Sequence, residues 1–374
     1  MSSSYKNYCF IILTVFLLVS AIHLPTAKAA DYYLLEDFYK FNPDEISKTT
    51  DFNELIKKDS PPPLNKNLTV SIAMVYPGKQ VSDYWNRSSK SFRLRLKQYG
   101  ITPQIHSFFL KPTATFREQN AVFKEALATD PDYLIFTIDT LRHQRMIEPL
   151  LIKNKPKIIL QNITTPLKAW TDKQPMMYIG FDHVNGSKML AEYFAEKTYG
   201  NGRYAILLPD PGYLSEVRGE TFVSYMDNNT NLELVSVYQT GINKEKARLA
   251  TLAIIEKNPD IKFIYACSTD IALGAIEALR KKNMIGKIMV NGWGGGSSEL
   301  KAIQKGEMDV TVMRINDDNG VAMADAVILD MLGESKKLPL VFSGRLELIE
   351  KGINPQKLDL LKNKSFRYSG RAED

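Results

Sequence analysis

The chain has 374 residues, 44% of them hydrophobic and 24% charged, with two cysteines and a net charge of +6. That length exceeds one small core and suits two lobes of ordinary size, and the composition excludes a disordered chain. The mild charge, with Lys and Glu interspersed rather than blocked, argues against a nucleic-acid-binding face.

Residues 1–30 stand apart from the rest. Lys6 in a short polar start, an apolar run from Tyr8 to Ile22, and the small residues of Pro25-Thr26-Ala27-Lys28-Ala29-Ala30 read as an export signal cleaved after Ala29 or Ala30. The run is shorter than the roughly 18 residues that favour a membrane span, and no later stretch approaches that length. The mature chain is therefore expected to be soluble, without membrane insertion, and outside the cytoplasm. Removing Lys6 and Lys28 lowers the net charge to +4 and leaves Cys267 as the remaining cysteine. A single thiol at the end of an apolar strand reads as a small buried hydrophobe with no intrachain disulfide partner.

Residues 31–67 form a lead-in. YYLLEDFYKF favours a short helix there, whereas Asn42 to Lys48 and Ser60-Pro-Pro-Pro63 read as turns or extended linker. From Leu68 onward apolar runs and amphipathic runs alternate. Val70, Ile72 and Met74 make a strand, and Trp85, Phe92, Leu96 and Tyr99 share one helix face. Strands follow at Ile105 to Leu110, Tyr133 to Ile138 and Lys157 to Leu160, with helices at Ala114 to Ala128 and Arg142 to Lys153. Met176 to Phe181 is a further strand, running into a helix that has Asp182 near its start. The same rhythm continues through the strands Arg203 to Leu208, Leu234 to Tyr238, Phe263 to Ala266, Lys287 to Asn291 and Val310 to Met313. The helices between these begin near Ser215, Lys246, Ile271 and Ser298. The predicted class is α/β with parallel sheets.

Open parallel sheets place ligands beyond the C-terminal ends of their strands, and polar or aromatic residues stand at those ends here. Gln80 and Ser82 follow the first strand, Asn162 the fourth, and Ser268 and Thr269 the strand ending at Ala266. Trp293 sits among Gly292, Gly294, Gly295 and Gly296. Arg218 lies on the helix face beginning at Ser215, and Arg314 ends its strand. A guanidinium in a crevice is costly to desolvate without acceptors, so two of them suggest a ligand that is anionic when bound. The competing reading pairs Arg314 internally with Asp317 or Asp318. Trp85 and Trp293 offer flat faces suited to the C–H surface of a small cyclic polyol, although Trp85 fits a core position equally well. The hydroxyl and amide residues fit polyol recognition as a set and helix caps singly; Thr269 and Asp270 suit a cap on a helix starting at Ile271. Catalytic motifs are thin. GWGGGSS is neither a nucleophile elbow nor a phosphate loop. His106, His143 and His183 lack metal-ligand spacing and read as structural or surface residues.

Five stretches carry a more specific resemblance: VYPGKQVSDYW (Val75 to Trp85), DYLIFTIDTLRH (Asp132 to His143), LQNITTP (Leu160 to Pro166), SEVRGETF (Ser215 to Phe222) and the run from Phe263 to Asp318. With these, the chain from about Leu34 to Tyr368 resembles the LuxP-type autoinducer-2 receptors of the type I periplasmic binding protein family. The resemblance implies two Rossmann-like lobes joined by three hinge crossings. It assigns 68–180 with 315–344 to an N-terminal lobe and 181–314 with 345–374 to a C-terminal lobe, behind a signal peptide (1–30) and the lead-in (31–67). It implies a periplasmic location and ligand contacts at Gln80, Ser82, Trp85, Asn162, Arg218, Thr269, Trp293 and Arg314, each holding the expected residue type.

The function it implies is reception of autoinducer-2 as a furanosyl borate diester. The signal would then pass to the periplasmic domain of a LuxQ-type hybrid sensor histidine kinase. No catalytic residue and no cofactor are expected, borate entering only as part of the ligand. The alternative reading is a nutrient sugar-binding protein serving an ABC importer.

Overall fold

The computed structural model describes residues 31–64 and 68–370. The export signal expected at residues 1–30 lies outside them, as do residues 65–67 of the lead-in.

The apolar runs become strands. In chain order these are β1 (Ser71–Tyr76), β2 (Gln104–Phe109), β3 (Tyr133–Phe136), β4 (Lys157–Gln161), β5 (Met177–Phe181) and β6 (Asn201–Leu208). They are followed by β7 (Asn231–Gln239), β8 (Phe263–Ala266), β9 (Met289–Gly294), β10 (Val310–Arg314), β11 (Val341–Gly344) and β12 (Leu346–Glu350). They form two sheets, ordered β11-β5-β4-β3-β1-β2 and β12-β10-β9-β8-β6-β7. All pairings are parallel except β10 with β12. Helices cover both faces, which explains why β3 and β10 are buried along their whole length.

Local chemistry sets the helix starts. Thr115 and Glu118 form a reciprocal capping box, and Asp182, Asn243, Ser268 and Asn354 each accept a backbone N–H from the first turn of the helix they precede. The turn expected at Asn42 to Lys48 is instead the start of a helix, Asp44–Lys57. Pro43 stands just before its first turn, where a missing N–H costs little, and Asp44 and Glu45 suit the positive helix end. Phe52 and Ile56, four residues apart, then bury in the first-lobe core with Ile72, Phe92, Leu96 and Val321. The second core gathers Leu207, Ile254, Ile264, Ala275, Val290 and Ile349.

The chain passes between the sheets between Phe181 and Asn201, between Arg314 and Asp317, and between Gly344 and Leu346, where Arg345 alone separates β11 from β12. Of residues 345–370, β12 joins the second sheet and Leu358 its core, whereas the tail turns to the first lobe. Tyr368 is buried in the first-lobe core, its backbone N–H donating to Asp317 and its hydroxyl accepting from Arg95. That hydroxyl gives the buried Arg95 one of its acceptors, which draws the tail back across.

Candidate functional site

Between the sheets, at the C-terminal ends of their strands, lies a cavity lined from both lobes. Pro77, Gln80, Ser82, Tyr84, Trp85 and Asn162 line it from the first lobe; Leu214, Arg218, Ile242, Ser268, Thr269, Trp293 and Arg314 line it from the second. Every candidate contact named from the sequence is in that set. The chain brings together residues up to 237 positions apart because they sit at, or on the segments that follow, the C-terminal strand ends of two facing sheets.

The two arginines are the least ordinary feature. Arg218 sits on a π-helical turn, Ser215–Glu220, that leads into the helix Thr221–Asn229. Such a widened turn re-aims a side chain, and it is common at binding sites. Arg218 donates from Nη1 to the Cys267 carbonyl oxygen at 2.6 Å and from Nε to His183 Nδ1 at 3.3 Å, and its guanidinium lies 3.9 Å over the Trp293 ring. Arg314 lies over the Tyr84 ring at 4.4 Å and within 5.6 Å of Trp293; its buried Nε has no hydrogen-bond partner. Neither arginine makes an ion pair among the described residues. The internal pairing weighed for Arg314 is excluded by where the carboxylates go. Asp317 accepts the backbone N–H groups of Tyr368 and Ser369, and Asp318 pairs with Arg367 at 3.0 Å. Burial first, and Arg314 second, pulls the Arg218 guanidinium down to about 9. Burial likewise lowers Arg314, against weaker opposing effects of Tyr84, Glu299 and Asp83.

The remaining contacts are held from behind. The Trp293 indole is not loosely packed among glycines, as its neighbours suggest. It is the penultimate residue of strand β9, 1% exposed, and donates from Nε1 to the Tyr265 hydroxyl at 3.2 Å. It also packs so closely on Gly186 that a Cβ there would lie 2.6 Å from its ring. Glu299, fully buried, accepts from the N–H groups of Trp293 and Gly295 and from the Thr311 hydroxyl, fixing the glycine loop. Trp85 stacks on Tyr76 at 4.8 Å and also lines the cavity. Asn162 has a left-handed backbone (φ +67°) and a buried Oδ1 without a partner. Gln80 donates to the Pro77 carbonyl oxygen at 2.8 Å.

Thr269 and Asp270 do not cap their helix, which starts at Thr269 rather than Ile271. Ser268 accepts from Ile271 N–H, Thr269 donates to the Trp293 carbonyl oxygen, and Asp270 reaches the opposite lobe. There it accepts from Val81 N–H at 3.0 Å and Ser82 N–H at 3.3 Å. Two further carboxylates bridge the lobes in the reverse direction: Asp83 accepts from Ser297 N–H and Oγ, and Asp139 from Leu214 N–H at 3.1 Å. The lobes are thus closed on the cavity, with contacts that opening would break.

Sequence reasoning missed Tyr84, Leu214, Ile242 and His183. Tyr84 was legible: adjacent helix residues face different ways, so Tyr84-Trp85 at a helix start puts an aromatic ring on more than one face. Among the described residues, no group of three or more His, Cys, Asp or Glu is placed to hold a metal, and no helix is long and apolar enough to cross a membrane.

Two parallel-sheet lobes closing over a cavity at their strand ends, stitched by short crossings, define a clamp-type solute-binding protein. The family model described as periplasmic binding protein domain matches residues 72–334, more than half of the chain. The chain belongs to that family, which is one of solute-binding proteins rather than enzymes. Among curated relatives, the ribose import binding protein RbsB of Bacillus subtilis is 27% identical over 172 residues, 46% of this chain and 54% of the relative. The D-allose-binding periplasmic protein of Escherichia coli is 22% identical over 274 residues, 71% of this chain and 86% of the relative. The chain thus spans about half the length of the ribose-binding relatives it matches. Of solved structures, GanP, a glucose-galactose binding protein from Geobacillus stearothermophilus, superposes with a TM-score of 0.67 at 18% identity, covering 76% of this chain and 99% of the other. A periplasmic solute-binding protein from Actinobacillus succinogenes with bound D-allose gives 0.64 at 22%, covering 75% and 98%. At these identities the structures speak for the fold alone.

Proposed function

We propose that the cleft closes on a small, polyhydroxylated, sugar-like ligand that is anionic when bound, and that this ligand is autoinducer-2 in its furanosyl borate diester form. The observation that carries this reading is the pair Arg218 and Arg314, both buried and neither matched by a carboxylate among the described residues. Tetrahedral borate in a cyclic diester bears one negative charge and offers several oxygens, which would offset one of the two positive charges and accept N–H groups from both guanidiniums. Trp85 and Trp293 would cover the furanoid faces, and Asn162, Thr269 and Ser268 would meet its hydroxyls. Ligand contact with both lobes would favour the closed state. On this reading the closed protein, acting from the periplasm, passes the signal to the periplasmic domain of a LuxQ-type hybrid sensor histidine kinase.

The comparisons by themselves favour a second reading, a nutrient receptor of an ABC importer, because the named relatives bind ribose and allose. Calorimetry separates the two. Binding of 4,5-dihydroxy-2,3-pentanedione that requires added borate, and that Arg314→Ala abolishes, supports the anion. Tight binding of D-ribose or D-allose, indifferent to borate, overturns it in favour of the importer.

A further inference from the structure

His183 lies outside the predicted contacts and outside the lining of the cavity, yet it touches residues that line it from both lobes. It opens the helix His183–Lys197 directly after the first crossing and is 1% exposed. Its Nε2 is 3.0 Å from the Asn162 carbonyl oxygen, on the first lobe. Its Nδ1 receives Arg218 Nε at 3.3 Å, from the second lobe. The ring centre lies 5.3 Å from that of Trp293. A carbonyl oxygen can only accept and a guanidinium can only donate, so these partners fix the tautomer: proton on Nε2, lone pair on Nδ1.

We infer that His183 is a positioning residue, a neutral imidazole that ties the Asn162 backbone to the Arg218 guanidinium across the hinge and thereby sets the direction in which Arg218 meets the ligand. With Nε held by His183 and Nη1 by the Cys267 carbonyl, Nη2 is the Arg218 nitrogen with no protein partner among the described residues. A long, freely rotating side chain becomes a fixed donor, which removes an ordering cost from ligand binding. The charged groups acting on the ring are Arg218 and Arg314, with the Tyr213 ring 5.8 Å away and no carboxylate opposing them. Burial first and those cations second hold the imidazole well below its ordinary value, so it stays neutral where the protein works. Protonation would set an Nδ1–H against the Arg218 Nε–H.

The inference rests on the reading that Arg218 and Asn162 meet the ligand, so its test has one arm free of any ligand. Nitrogen NMR of the imidazole should show Nε2 protonated and Nδ1 bare, unchanged from pH 7.5 to about 5.5. A ring protonated at Nδ1, or one titrating near pH 6.5, overturns the inference whatever the protein binds. In the second arm, His183→Leu and His183→Gln are titrated by calorimetry with dihydroxypentanedione plus borate, and with D-ribose. The leucine removes donor and acceptor. The glutamine amide keeps one of each. Leucine should weaken whichever probe the wild type takes by about tenfold or more, with little change in thermal midpoint, and glutamine should recover most of the loss. Wild-type affinity in His183→Leu, or equal losses in both variants with early melting of each, refutes a positioning role. A wild type that binds neither probe counts against the proposed ligand and leaves the tautomer to decide on His183.

Discussion

Arg314→Met should have opposite effects on the empty protein and on binding. In the ligand-free chain the guanidinium is buried, makes no ion pair, and leaves Nε without an acceptor. It shares the Trp293 ring with Arg218, so two like charges face one indole and repel. Replacing a buried ion pair by apolar side chains of similar volume is often neutral or stabilising by about 1–4 kcal/mol, and a buried charge without a counter-ion should gain no less. Against this stands the lost contact with the Tyr84 ring, worth about 0.5–2 kcal/mol, part of which a methionine keeps through its sulfur. The net expectation is a ligand-free protein more stable by about 1 kcal/mol or more. Binding should move the other way, losing about 2–5 kcal/mol, which is roughly 30-fold to several thousand-fold in affinity. Denaturant unfolding without ligand and calorimetry with dihydroxypentanedione and borate measure the two halves. A variant that unfolds earlier than the wild type would mean Arg314 has a protein partner, and one that binds undiminished would mean it faces no anion.

Other outcomes follow from the same geometry. Burial pushes Asp139 up to about 6 in the closed lobes, and opening should return it to its ordinary lower value. The closed state therefore holds that proton more tightly, so closing gains from this group at pH below the ordinary value and loses the gain as pH rises through about 6. The affinity of the wild type relative to Asp139→Asn should accordingly improve from pH 7 to pH 5; a ratio that worsens in acid contradicts the shift. Arg95 and Asp325 form a bidentate pair at 2.8 and 2.9 Å with both side chains fully buried. Arg95→Met should cost about 3–5 kcal/mol in urea unfolding, and adding Asp325→Leu should restore much of it; a double variant no more stable than the single refutes the pairing account. Gly295 has φ +62°, and a Cβ there would strike the Met313 backbone. Gly295→Ala should shift the loop that Glu299 holds and quench or redshift the Trp293 fluorescence, and an unaltered spectrum with unaltered binding would show the loop to be tolerant.

Periodicity made most of the sheet-and-helix order legible, because parallel strands buried on both faces must be apolar runs and their helices must carry a stripe. What it could not give was the direction of single side chains. Asp270 reads as a cap beside Thr269, yet Ser268 is already the cap, which leaves the Asp270 carboxylate to cross to Val81 and Ser82. Trp293 reads as a ring with little around it, but its packing comes from Gly186 and Tyr265, remote in sequence. The tail crosses back because Arg95 and Asp317 need its polar groups, a demand invisible in any local pattern. Most of the cavity lining was legible as a set, since strand ends can be counted, whereas His183, which packs behind it, leaves no pattern of its own.

The lone Arg345 between β11 and β12 limits what kind of motion opens the protein. Consecutive Cα atoms are fixed about 3.8 Å apart, so Gly344 and Leu346 can never separate by more than about twice that distance. The two halves are therefore barred from sliding past or drawing away from one another at this point. They can only pivot, and the rim swings like the free edge of a door whose frame never moves.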